Sequence, residues 1–257
     1  MAILKQFQQD QLKVFIMDSR NSMGQVAAEH AAECLRSLLA QKETVNVIFA
    51  AAPSQNETLH HLVHAPDIDW QRVNAFHMDE YIGLAPNAPQ AFGRYLDEHI
   101  FSLVPFGSIH YLNGQAESPE AECERYSRLL RDNPVDMVCL GIGENGHIAF
   151  NDPWVADFED SLLVRIVPLD PVCRQQQVND GCFENLDQVP THAMTLTIPA
   201  LTRAGHLFCT VPAASKAWAV EKTVKADISV DVPATIMRRH AHAELFCDPD
   251  SAAALLK

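Results

Sequence analysis

The chain has 257 residues, 47% of them hydrophobic and 20% charged, with a formal net charge of −14. A chain of this length buries most of the surface its unfolded form exposes and needs no disulfide or metal staple. The composition suits a single domain over residues 1–257. Acidity without a Lys/Arg cluster excludes nucleic acid as a partner, because counterion release at phosphates needs clustered cations.

Seven cysteines at positions 34, 123, 139, 173, 182, 209 and 247 are scattered, odd in number, and form no CxxC pair or Cys/His cluster. That usage points to a reducing compartment and to thiols serving as small core residues, with no metal site. The start, MAILKQFQQDQLKV, is too polar for a signal peptide, and no apolar run reaches membrane-spanning length. The expectation is a cytoplasmic protein with no membrane partner.

In chain order, SMGQVAAEHAAECLRSLLAQ (22–41) is the first segment with helix periodicity, with Ser22 as its N-cap. TVNVIFA (44–50) follows, apolar on both faces like a strand of a covered parallel sheet. It runs into AAAPSQNET (50–58), where Ser54, Gln55 and Asn56 stand at a helix start. Unpaired N–H groups and the helix dipole hold anions at such a place. The same residues also serve as an ordinary N-cap, and the stretch alone does not separate the two.

RVNAFHM (72–78) is the next strand and leads into FHMDEYIGL (76–84). Adjacent residues on extended chain point opposite ways, so of Asp79 and Glu80 one can face a ligand while the other holds neighbouring backbone. A carboxyl withdrawn from water rises toward the range of a general base. APQAFGRYLDEHIFSLV (88–104) and SPEAECERYSRLLRD (118–132) are helical in pattern, the second capped by Ser118.

VDMVCLGI (135–142) then delivers the chain to GIGENGHIAFNDP (141–153). Gly141, Gly143 and Gly146 meet the G-x-G-x-x-G spacing, but His147 and Asn151-Asp152-Pro153 stop a long helix from starting. No acid ends a following strand roughly 20 residues on, as ribose binding requires. The turn reads instead as catalytic, with His147, flanked by Glu144, Asn145 and Asp152, as the proton shuttle near neutral pH. LLVRIVPL (162–169), AMTLTI (193–198), HLFCTV (206–211) and AELFC (243–247) are further strands. In the helix AASKAWAVEKTVK (213–225), Lys216 is either a phosphate-binding charge or a surface lysine.

This alternation implies βαβ units with right-handed crossovers: a doubly wound α/β fold, its mostly parallel sheet covered by helices on both faces. Ligands bind beyond the carboxyl ends of such strands. All four polar clusters follow strands.

MDEYIGL (78–84) and GIGENGHIAFNDP (141–153), in that order and followed by the lysine-bearing helix, resemble the glucosamine-6-phosphate deaminase (isomerase) family. The similarity extends to VPATIMRRHAHAELFCD (232–248) and so spans nearly the whole chain. The wider superfamily includes 6-phosphogluconolactonases, which lack the MDEY sequence and the HIAFN continuation. The resemblance implies an enzyme of hydrolase or isomerase type in amino-sugar metabolism, turning glucosamine 6-phosphate into fructose 6-phosphate and ammonia. It implies Asp79 as the base that moves the C2 proton and His147 as the ring-opening group. Asn145 stands where members carry Asp or Asn, and Asp152 stands where the family has Glu. Ser54, Gln55, Asn56, Gly146 and Lys216 form the implied substrate-binding set, with Arg174 in place of the family's phosphate-gripping arginine. No metal or organic cofactor is implied, since an enediol between two proton transfers needs a base, an acid and positioned donors. A homo-oligomer is left open.

Two departures bear on the substrate. Ala52-Pro53-Ser54-Gln55 replaces the family's Gly-Gly-Thr or Gly-Ser-Thr turn, which changes how closely phosphate approaches the backbone. His77 stands where Asn is usual. They keep a second reading open, turnover of another sugar phosphate such as a galactosamine phosphate or a lactone. A third, a sugar-phosphate sensor without turnover, would not need Asp79, His147 and Asp152 together.

Overall fold

The computed structural model describes residues 2–85 and 88–257. Its frame is an eight-stranded sheet in the order β1-β2-β11-β10-β7-β3-β4-β6. The strands are β1 (Ile3–Gln9), β2 (Leu12–Met17), β3 (Val45–Phe49), β4 (Val73–His77), β6 (Ser108–His110), β7 (Met137–Leu140), β10 (His206–Val211) and β11 (Ala243–Cys247). β1 is antiparallel to β2, and every other pairing is parallel. Alternate residues of one strand serve different cores: Val47 and Phe49 of β3 join one apolar cluster, and Ile48 joins the other. Met137 and Cys139 of β7 divide from Val138 and Leu140 in the same way. That two-sided burial is why these strands read as unbroken apolar runs.

Helices α1 (Arg20–Leu39), α2 (Asn56–Val63), α3 (Phe92–Leu96), α4 (Pro119–Asp132), α5 (Pro171–Asn179), α6 (Ile198–Thr202) and α7 (Ala217–Lys225) complete the layers. Along α1, Met23, Ala27, Ala31, Leu35 and Leu39 are buried at four-residue spacing, which sets one stripe against the sheet. Ser118 caps α4 as expected, accepting from Ala121 N at 3.1 Å. Ser22 does not cap α1. Ser19 does, and Ser22 occupies the third helical position, where its N–H donates to Ser19 Oγ at 3.2 Å.

Three expectations change. The strands expected at 162–169 and 193–198 do not enter the parallel sheet. As β8 (Val164–Pro168) and β9 (His192–Leu196), they form a separate antiparallel sheet with β5 (Asp79–Tyr81), in the order β5-β9-β8. The N-terminal hairpin was not foreseen, because β1 alternates polar residues on an exposed edge. The helix expected over 88–104 is confined to α3 and a wider π-type turn over Asp97–Phe101.

Strand order reverses between β3 and β7. From β3 the chain crosses to β4 on one side, whereas beyond β7 it reaches β10 on the other. Phe49 pairs with Cys139 at the carboxyl ends, and the loops that follow diverge and leave a crevice. α2 begins at the rim of that crevice and is held close to α1. A Cβ on Gly24 would lie 2.3 Å from Glu57 Cβ and 2.9 Å from Thr58 N. Alanine gains about 1 kcal/mol of intrinsic helix propensity over glycine, but α2 backbone cannot swing aside. Gly24→Ala is therefore expected to destabilise the protein by about 1–3 kcal/mol, read as a lower melting temperature than wild type.

Candidate active site

The crevice is a half-open cleft whose walls carry both polar and apolar side chains. Loops after four strands line it: Ala50–Ser54 after β3, Met78 and Asp79 after β4, Gly141–Gly143 with His147 after β7, and Pro212–Lys216 after β10.

Asp79 opens β5 and is 6% exposed. Its backbone pairs with Thr195 of β9. Phe92 and Phe150, stacked with centroids 5.5 Å apart, form an apolar wall of the cleft. Burial, and then the charge of Glu80, hold the Asp79 carboxyl well above its ordinary value of 3.8. Glu80 turns the other way and accepts N–H bonds from Tyr81 (2.9 Å), Phe92 (3.1 Å) and Gly93 (2.9 Å). Burial raises the pKa of Glu80 too, and those three donors offset part of the rise. The division expected for two adjacent acids is present.

The glycine turn folds on itself through Gly143 N–His147 O and Gly146 N–Gly143 O bonds, both 3.0 Å, with Gly146 at φ +84°. His147 Nδ1 meets Asn145 Oδ1 at 2.7 Å and Asp152 Oδ1 at 3.0 Å. Both neighbours are acceptors there, so Nδ1 carries the hydrogen, and in the neutral ring Nε2 is the basic nitrogen. Asn145 Nδ2 donates to the same Asp152 oxygen at 2.8 Å. Burial raises the Asp152 pKa, but the hydrogen bond and charge of His147, with help from Asn145, outweigh it and hold the carboxyl below its ordinary value. The imidazole lies directly on Gly143, where a Cβ would sit 2.0 Å from its Cε1.

Lys216 lines the opposite wall and is 5% exposed. Burial lowers its pKa against the pull of Asp180 and Glu144, and among the described residues no carboxylate pairs with it. Ser54 lines the cleft. Gln55 lies beneath it, with Nε2 donating to Leu140 O at 3.1 Å. Asn56 accepts from Tyr95 Oη at 2.6 Å. Neither Gln55 nor Asn56 is among the lining residues, and Gly146 shapes the turn without reaching the cleft.

Arg174 departs from its expected place. Its Nη2 donates to Leu186 O at 2.7 Å and Val189 O at 2.8 Å, tying down the segment after α5 outside the cleft. The arginine that does line the cleft is Arg20, the first residue of α1. Its Nη2 donates to Pro53 O at 2.6 Å and its Nε pairs with Glu57 at 2.8 Å, which leaves Nη1 unengaged at the rim. Ser215, Gln176, Gln177 and Asp180 also line it unforeseen. Gln176 Oε1 accepts from Glu144 N at 2.9 Å and joins α5 to the glycine turn.

Residues 18–247 match the family model described as glucosamine-6-phosphate isomerases/6-phosphogluconolactonase. The chain belongs to this family. A glucosamine-6-phosphate deaminase of Listeria monocytogenes serotype 4a (strain HCC23) is 35% identical over 211 residues, covering 82% of this chain and 88% of the relative. One from Lactobacillus delbrueckii subsp. bulgaricus (strain ATCC BAA-365 / Lb-18) is 30% identical over 246 residues, 96% of this chain and all of the relative. The solved structure of a monomeric glucosamine-6-phosphate deaminase superposes with a TM-score of 0.84 at 27% identity, covering 93% of this chain and 98% of that one. A Thermotoga maritima 6-phosphogluconolactonase, at 20% identity and TM-score 0.76, covers 92% of this chain and 99% of that one and shares the fold alone. These deaminase relatives lend no support to the hydrolase half of the expected enzyme class. Among the described residues no helix is long and apolar enough to cross a membrane.

Two variants probe the site. The folded chain holds the Asp79 proton more tightly than the unfolded chain, so the group stabilises the fold below about 3.8 and costs stability as pH rises through the raised pKa. Asp79→Asn removes that cost. It should melt above wild type near neutral pH, with the gain shrinking as pH falls toward 3.8. Gly143→Ala displaces the imidazole and should lower kcat about 100-fold with far-ultraviolet circular dichroism unchanged.

Proposed function

We propose that this chain, acting as one domain over residues 1–257, is a glucosamine-6-phosphate deaminase. One observation carries the reading. A buried carboxyl of raised pKa, Asp79, and an imidazole with a bare Nε2, His147, face a single cleft that also holds an unpaired lysine. Relatives bearing that name at 30–35% identity support it.

In the proposed course, phosphate rests against Lys216, Ser54 and Arg20. His147 Nε2 takes the proton of the anomeric hydroxyl and returns it to the ring oxygen, which opens the pyranose. Asn145 and Asp152 hold Nδ1–H and steady the imidazolium between these transfers. Asp79 then carries the proton from C2 to C1, and water replaces the amine at C2 with release of ammonia. The raised pKa lets one carboxyl both take and return a carbon-bound proton. We read the reaction as isomerase-type, because the proton transfer between neighbouring carbons is its defining step. Seven unpaired thiols suit a reducing, cytoplasmic setting. The Ala52–Gln55 loop, whose Pro53 O is held by Arg20 where the family has a glycine turn, keeps another sugar phosphate, such as a galactosamine phosphate, as the second substrate reading.

Ammonia release from glucosamine 6-phosphate, with Asp79→Asn as the blank, tests the reading. Release that vanishes in the variant supports it; an inactive wild type that turns over galactosamine 6-phosphate moves the function to the second substrate. Arg20→Ala should raise KM by roughly 10- to 100-fold, the worth of one charge-assisted hydrogen bond, with kcat changed far less.

A further inference from the structure

The proposed reaction leaves one buried nucleophile at the site without a task. Cys173, in the first turn of α5, is 1% exposed. Burial, and then the carboxylates of Asp152, Asp79 and Asp170, hold its thiol pKa well above the ordinary value, so without a metal it is a thiol. A ring nitrogen of His147, a carboxylate oxygen of Asp152 and Cys173 Sγ lie within 4.8 Å of one another, all three residues buried. His147 Nδ1 and Asp152 Oδ1 are already 3.0 Å apart, and Asp152 Oδ2 is buried with no hydrogen bond of ordinary geometry.

Sulfur, nitrogen and oxygen from three protein side chains are donors that a four-coordinate zinc site takes, and of the three His147 lines the cleft while Cys173 and Asp152 lie behind it. Metal–donor bonds of about 2.0–2.3 Å set neighbouring donors roughly 3.3–3.8 Å apart, so small side-chain rotations close the set. We propose that the buried cluster behind the cleft wall binds one Zn2+ through Cys173, His147 and Asp152, and that the ion switches the enzyme off. On binding, Cys173 releases its proton to solvent, the His147 hydrogen shifts from Nδ1 to Nε2, and the ion is held by a thiolate, a carboxylate and Nδ1 of a neutral imidazole, with no net charge left in the cluster. His147, engaged in the metal bond, no longer shuttles protons for ring opening. One proton leaves per ion, so binding strengthens as pH rises. Mg2+, which takes oxygen ligands in octahedral geometry, is not held.

Inhibition rests on the catalytic reading of His147; binding does not, so the two are measured separately. Binding is read with Co2+ as the optical probe, at one equivalent, on wild type, Cys173→Ser and Cys173→Ala. Wild type should show an intense near-ultraviolet thiolate-to-cobalt band with tetrahedral visible bands, and both variants should lose the thiolate band. Ammonia release should persist in both variants without metal, with half-inhibition by Zn2+ at a concentration at least 10-fold higher than in wild type. Absence of the thiolate band in wild type overturns the proposal. So does a band that survives in both variants, which would place the ion on another thiol, such as Cys34 beside His30, His206 and Glu244 at the far end of the sheet. If Co2+ binds as proposed while wild type releases no ammonia, the zinc site stands and the deaminase reading falls.

Discussion

A carboxylate that water does not reach organises this site. Asp152 has no exposed surface, and a bare ion in that position would cost several kcal/mol. It is tolerated because one oxygen accepts both the Asn145 amide and the His147 Nδ1–H. Those bonds do more than satisfy a charge. They select the imidazole tautomer, fix the ring plane over Gly143, and thereby require a glycine there. Asn151 locks the same turn to β9 through Ile148 O and Leu196 O, both at 2.9 Å, so the small antiparallel sheet is the anvil on which the glycine turn is shaped.

Environment rather than residue type separates the two neighbouring acids. Asp79 and Glu80 are consecutive and both buried, yet only Glu80 is given donors, because extended backbone directs it at the start of α3. His77 adds no countercharge: burial depresses its pKa to about 3, so it stays neutral 3.8 Å from Glu80. Burial, and after it the charge of Glu80, raises the Asp79 pKa, with no cation beside the pair to oppose the rise among the described residues. Of the two adjacent acids, the one left without donors is the one that lines the cleft.

Much of this was legible in the order of residues. β3, β4, β7, β10 and β11 are apolar on both faces because both faces are covered. Asp79 and His147 stood out because titratable side chains at strand ends are exceptions to the hydrophobic pattern. β8 and β9 were apolar enough to pass for members of the parallel sheet, since apolarity reports burial and says nothing of strand direction. β1 was silent because an edge strand has little surface to hide.

Arginine placement marks the boundary most clearly. Arg174 sits at a plausible distance along the chain from the glycine turn, yet α5 directs its guanidinium at Leu186 and Val189. Arg20 lies far from every motif in sequence, and the β2–α1 connection delivers it to the cleft. Cys173, His147 and Asp152 likewise meet only because α5 packs behind the glycine turn. Residue order was sufficient for the fold class, the switch-point location and two titratable side chains that line the cleft, Asp79 and His147, because burial periodicity and strand-end polarity are local properties. Which cations line the cleft, and which thiol lies beside His147 and Asp152, was settled by helix rotation and interlayer packing. Those depend on contacts between different elements, such as Arg20 with the loop after β3 and Gln176 of α5 with the glycine turn, about which local pattern carries no information.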